Sequence, residues 1–142
     1  MSMAKLTVAD YPLAEKRPEL VASARGMTLQ AMTLEAVLAG DVTLEDLRIP
    51  ATALSQQGEI AAAAGRPTLG KNFTRAADLV DVPQEMIMRV YELLRPGRAK
   101  SKADLIAAAR ELRETYRAES IAAFVEEAAE VYEQRGLFQR RF

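Results

Sequence analysis

The 142-residue chain contains no cysteine, no histidine and no tryptophan. Disulfide frameworks, zinc fingers, thiol nucleophiles and Ser-His-Asp relays are excluded, because each needs a side chain that the sequence lacks. Charge of one sign is also missing: 19 Lys and Arg oppose 20 Asp and Glu, for a formal net charge of -1. So even a balance gives no basic face large enough to suggest duplex nucleic acid. Unbroken apolar runs reach only five residues, at Ile60–Ala64 and Ile121–Val125, against about 20 for a membrane span. The opening residues Met1–Asp10 hold one Lys but no apolar run of the kind a secretory signal needs. The expectation is a cytoplasmic protein with neither nucleic acid nor membrane as partner. A chain of this length buries roughly 70% of its unfolded surface without staples, so one domain is expected.

Strand signals are missing as well, since no segment alternates apolar and polar residues with the Val, Ile, Thr and aromatic content of a half-buried strand. The fold class expected is all-α: a small multi-helix domain over residues 33–142, preceded by an irregular, extended N-terminal arm over residues 1–32. Pro12, Pro18 and Gly26 interrupt any periodicity in that arm. Thr33 is an N-cap for a first helix with Leu34, Val37 and Leu38 on one stripe and Gly40 at its end. Thr43 and Asp46 have capping-box spacing ahead of a short turn through Leu44 and Leu47. Further stripes follow at Ala53, Leu54, Gln57, Ile60, Ala61 and Ala64, then at Phe73, Ala76, Ala77 and Val80. Pro83 opens a helix with Met86, Ile87, Val90, Tyr91 and Leu94 on its apolar face. Ser101 and Asp104 cap the next one. Residues 101–135 as a single helix would run for about 52 Å, and a break is expected near Ala118–Ser120. Alanine-rich stripes let helices approach closely.

Four features invite a chemical reading. Gly65-Arg-Pro-Thr-Leu-Gly-Lys71-Asn72 matches the phosphate-loop pattern except at its last position. That position should supply the magnesium-ligating hydroxyl, and the preceding residues read as helix rather than strand. The favoured reading is a helix C-cap at Gly65, a linker, and a helix opening near Gly70. Glu126, Glu127, Glu130 and Glu133 form an acidic cluster, but the di-iron pattern Glu-x-x-His cannot be completed without histidine. A solvated face is the simpler expectation, with Arg135, Arg140 and Arg141 complementing the helix C-terminus. Arg95-Pro96-Gly97-Arg98-Ala99-Lys100 is a compact basic loop able to meet a carboxylate on a partner. Tyr11, Pro12 and Leu13 put apolar side chains in an irregular segment, where they need a surface to lie on. Met86 falls on an apolar face and is expected to fill core space. No Ser or Lys has an activating partner, so no catalytic, cofactor-binding or metal residue is expected on this chain.

Over residues 8–135 the motifs taken together resemble one family. Asp10-Tyr-Pro-Leu-Ala-Glu-Lys-Arg-Pro-Glu19 is similar to D-Y-P-L-A-x-x-x-P-E, and Thr33–Gly40 with Asp46–Ile49 to T-L-E-x-V-L and D-x-R-I. Asn72–Leu79, Val82–Glu85, Tyr91–Pro96 and Ala122–Tyr132 resemble N-F-x-R-A-A-E-L, V-P-x-E, Y-x-x-L-R-P and A-A-F-V-x-E-A-A-x-x-Y. The family is the small subunit of adenosylcobalamin-dependent diol and glycerol dehydratases. The resemblance implies a lyase complex that converts 1,2-propanediol or glycerol to an aldehyde. Its chemistry and its adenosylcobalamin would reside on large and medium subunits, in a dimer of heterotrimers, with this chain a non-catalytic helical accessory packed mainly on the large subunit. Tyr11, Pro12, Leu13, Arg95, Pro96 and Arg98 are the expected interface residues. The chain starts almost at the arm, so the resemblance does not extend to the N-terminal extension of some compartment-packaged relatives. The rival expectation is a free-standing helical binding module unrelated to dehydration.

Overall fold

The computed structural model describes residues 5–138, and every regular element among them is helical. Seven α-helices follow in order: α1 (Leu13–Lys16), α2 (Leu34–Ala39), α3 (Ala51–Ala63), α4 (Pro67–Leu79), α5 (Gln84–Leu94), α6 (Lys102–Glu114) and α7 (Glu119–Gln134). Single 3-10 turns at Val8–Asp10, Pro18–Leu20, Leu29–Ala31 and Leu44–Leu47 lie between them. The only pairing of extended backbone among the described residues is an isolated bridge, Ala22 with Thr28. Contacts divide the chain into two compact units, one ending at Ala77 and the other starting at Asp78.

In the first unit the expected extended arm is a succession of short turns. Thr7 and Asp10 close a capping box, with the Thr7 amide 2.8 Å from Oδ2 of Asp10, and this starts the first turn. Pro12 and Pro18 then stand at the starts of α1 and the next turn, where a missing N–H costs nothing. Leu6 and Leu13 bury themselves with Ile60 of α3, and Leu20 and Val21 pack against that cluster. The Leu6 amide also donates to Oε2 of Glu59 at 2.9 Å, pinning the start of the arm to α3.

Between α3 and α4 the backbones come close. A Cβ on Gly70 would sit 3.0 Å from the Gly58 carbonyl oxygen and 3.4 Å from Cβ of Ala62. On Gly58 it would meet the Gly70 carbonyl oxygen and Phe73 Cβ at 3.2 Å each. Small residues do make a close approach, but Gly58, Ala62 and Gly70 make it, and all three stand outside the stripes read from the sequence. Gly65 ends the α3 connection at φ 75°, as expected of a C-cap. The following helix opens at Pro67 rather than near Gly70, because proline is pre-set for a first helical position. The Gly70 amide donates to Arg66 O at 3.1 Å.

In the second unit, α6 and α7 form an antiparallel hairpin. Leu105, Ala108, Ala109 and Leu112 of α6 bury against Ala122, Val125 and Ala129 of α7, and Val82, Met86, Val90 and Ala99 join the same core. Met86 therefore fills core space, as expected. Tyr91 does not: it is 57% exposed, and Leu93 packs against the core instead. The long helical stretch breaks at Thr115–Ala118, slightly ahead of the expected place, with Arg117 at φ 55°. Ala118 offers no side chain to cap α7, and Asp78 supplies one from a distance. Its Oδ2 accepts from the amides of Ser120 at 2.6 Å and Ile121 at 3.1 Å. The Ser101–Asp104 box opens α6 as the spacing indicated.

Candidate subunit-docking surface

Several features read as chemistry in the sequence are structural. The Gly65–Asn72 segment is a helix cap followed by the first turns of α4, and a helix rather than a strand precedes it. The acidic cluster on α7 meets bases from α6. Arg113 clamps Glu126 in a fork at 2.6 and 2.8 Å and holds Glu119 at 2.8 Å. Lys102 reaches Glu130 at 2.7 Å and Glu133 at 2.8 Å. The guanidinium of Arg113 holds the Glu126 carboxyl below its ordinary range. Among the described residues no group of three acidic side chains is placed to hold a metal. Arg135 lies just past the end of α7, while Arg140 and Arg141 lie outside the described residues. No helix among them is long and apolar enough to cross a membrane. No buried side-chain nitrogen or oxygen in the described part lacks a partner, so none is left aimed at a ligand.

The expected interface residues lie at two places, one in each unit. Tyr11 is 58% exposed, and the Tyr11–Pro12 peptide is cis. Leu13 turns inward and is 6% exposed, so its side chain serves the chain's own core rather than a partner. With Leu20, Val21 and the α3 residues Thr52, Ala53 and Gln56, these three line a groove of about 280 Å³. In the second unit, Arg95 and Arg98 both lean on Glu92, at 3.0 and 3.9 Å, and Pro96 is exposed between them. Ala99 anchors this loop in the core at 3% exposure.

Sequence reasoning missed a third place. The stripe of α2 that reads as core-facing points outward: no residue of α2 is buried, and Leu34, Val37 and Leu38 are strongly exposed. Beyond Gly40, Leu44, Leu47 and Ile49 are exposed too, Leu44 at 81%. Six aliphatic side chains are thus turned to solvent within one short stretch. Exposed apolar side chains grouped so closely in the chain mark interaction sites more often than singly scattered ones do.

That stretch is held rigidly from beneath. The Asp46 side chain is completely buried. It accepts from Ser23 Oγ at 2.7 Å, from the Thr43 amide at 2.9 Å, and from Nε and Nη2 of Arg25 at 3.0 and 2.6 Å. Arg25 Nη2 also reaches the carbonyl of Asp41 at 2.7 Å. The Arg25 hydrogen bonds, then that of the Thr43 amide, hold the Asp46 carboxyl well below the usual carboxylate range, against the opposing effect of burial. A lowered folded-state value stabilises the fold above the unfolded value near 3.8, and the contribution is lost as pH falls below it. Asp46→Asn is therefore expected to lower the urea midpoint at pH 7. The gap to the parent chain should narrow steadily as pH falls below 3.8, and a constant gap down to pH 2 would rule this source of stability out.

The fold and the site define an all-helical chain that holds a group of aliphatic side chains rigidly outward. Comparison with known proteins gives the particular family. The family described as "Dehydratase small subunit" matches residues 6–139. The chain is 48% identical over 128 residues to the propanediol dehydratase small subunits of Citrobacter freundii and Salmonella typhimurium. These alignments cover 90% of this chain and 74% and 73% of the two relatives. The chain belongs to the dehydratase small subunit family.

Proposed function

We propose that this chain is the non-catalytic small subunit of an adenosylcobalamin-dependent diol dehydratase, which removes water from 1,2-propanediol or glycerol to give an aldehyde. The observation that carries this reading is the 48% identity to propanediol dehydratase small subunits along 90% of the chain. The complex would be cytoplasmic, a dimer of heterotrimers in which this chain rests mainly on the large subunit.

Adenosylcobalamin would supply radical chemistry on the partner subunits. The residues present here do not fit it. Neither hollow near the expected contact points, about 280 Å³ beside the arm and about 610 Å³ at Pro96–Lys100, exceeds the range for drug-sized ligands, roughly 300–1,000 Å³, and a cobalamin is larger than a drug-sized ligand. What this chain contributes is shape: the α6–α7 hairpin and the Asp46 network hold surfaces in a fixed form for the catalytic subunit to close on. Tyr11 with Pro12, positioned by Leu13, and the loop carrying Arg95, Pro96 and Arg98 are contact points in this reading.

The test is co-expression of the tagged chain with the other dehydratase subunits, followed by an aldehyde assay with adenosylcobalamin and 1,2-propanediol. Co-purification of larger subunits is expected, with cobalamin-dependent aldehyde formation that is lost when this chain is omitted. Full activity without the chain would overturn the reading.

A further inference from the structure

We infer that the face formed by Leu34, Val37, Leu38, Leu44, Leu47 and Ile49 is the principal docking surface of this chain, and that its occupant is a different dehydratase subunit presenting an apolar face with a basic rim. The inference deepens the accessory-subunit reading and rests on it.

Size is the first argument. These six side chains range from 52% to 81% exposed, which leaves on the order of 500 Å² of apolar surface uncovered. That is a large share of the roughly 800 Å² that each partner contributes to a standard interface. Pre-organisation is the second. Leu34 and Leu38 are one helical turn apart on α2, and Leu44 and Leu47 are one turn apart on the next element. Gly40 at φ 81° folds the chain back between them, with the Asp41 and Val42 amides on the Ala36 carbonyl at 2.9 and 3.3 Å. Asp46, the buried anchor of this stretch, is held by Ser23 and Arg25. A buried charged network thus fixes a segment that adds no apolar residue to the chain's own core. Such rigidity lowers the ordering cost of association.

Charge identifies the kind of occupant. Glu35, Asp41 and Glu45 stand exposed in this stretch, and the two bases beside them are already engaged: Arg48 with Glu45 at 3.5 Å, and the half-exposed Arg25 with the buried Asp46 at 2.6 Å. A second copy meeting this face across a two-fold axis would bring one acidic rim against another, which is repulsive. A different chain bearing lysines or arginines around an apolar centre meets no such penalty.

The test uses the full chain co-expressed with the other dehydratase subunits. Leu38→Asp with Leu44→Asp should weaken recovery of the larger subunits by at least 100-fold. Its urea midpoint should match the parent's, because neither side chain is buried. Glu35→Lys with Glu45→Lys should weaken recovery by a smaller factor and make it less sensitive to salt. Undiminished recovery with the Leu38/Leu44 variant overturns the docking face and leaves the accessory-subunit reading standing. Failure of the parent chain itself to recover any dehydratase subunit overturns the reading beneath it. A parent chain that dimerises alone, and that Leu38→Asp with Leu44→Asp turns into a monomer, assigns the face to a second copy and overturns the occupant inferred here.

Discussion

Leu105→Ala is expected to cost the second unit about 2–5 kcal/mol, the range for a large aliphatic removed from a well-packed interior. Leu105 is 0% exposed and shares its core with Leu112 and Val125, the other fully buried large side chains. The same core holds Ala108, Ala109, Ala122 and Ala129, and an alanine has no rotamer with which to move into a void. Urea unfolding followed by far-UV circular dichroism measures it, and a loss below about 1 kcal/mol would mean that the hairpin collapses around the gap. Leu34→Ser is the control: that side chain is 69% exposed, and a change within about 0.5 kcal/mol is expected.

The second large effect belongs to the crossing of α3 and α4. Gly70→Val places a branched side chain where a single Cβ already lies 3.0 Å from the Gly58 carbonyl oxygen. That neighbour is backbone and cannot swing aside, so the two helices must separate. A loss of roughly 3 kcal/mol is expected, the high end for overpacking. Gly70→Ala should cost far less, because about 1 kcal/mol of improved helix propensity offsets its smaller clash. Thermal melts of the two variants separate these terms. Equal stability of Gly70→Val and the parent would show that the helices do not meet at this point.

The same two regions show where the sequence is readable. Ser101 and Asp104, Thr43 and Asp46, and Thr33 with Gly40 are local devices: cap and capped amide lie within a few residues, so spacing alone identifies them. The α6 side of the hairpin core follows a related rule, since Leu105, Ala108, Ala109 and Leu112 recur at helical intervals and all four are buried. Gly58 was not legible as a contact residue. A glycine inside a helix carries no sign of the backbone across from it, and its role depends on Gly70, which arrives only after the Gly65 turn. The cap of α7 is harder still, because Asp78 reaches Ser120 and Ile121 from a distant position in the chain.

The candidate docking face shows the same limit in its functional form. Tyr11 and the Arg95–Arg98 loop stand out in the sequence because they fall outside helical periodicity. Leu34, Val37 and Leu38 do not, since they form an ordinary amphipathic stripe and read as core. Periodicity states that an apolar face will be covered, and is silent on whether the cover comes from the same chain. Here α2 buries none of its residues and turns that face to solvent.

Composition and local pattern were enough to establish an all-helical chain, its caps, its breaks near Gly40, Gly65 and Pro96, and the lack of any histidine or cysteine chemistry. They act through neighbouring residues and through side chains that are simply present or missing. Which stripes became interior, which glycines became contacts and which leucines were left outward were settled by packing. Burial is a property of what lies opposite a residue, and that is fixed only when the whole chain has folded.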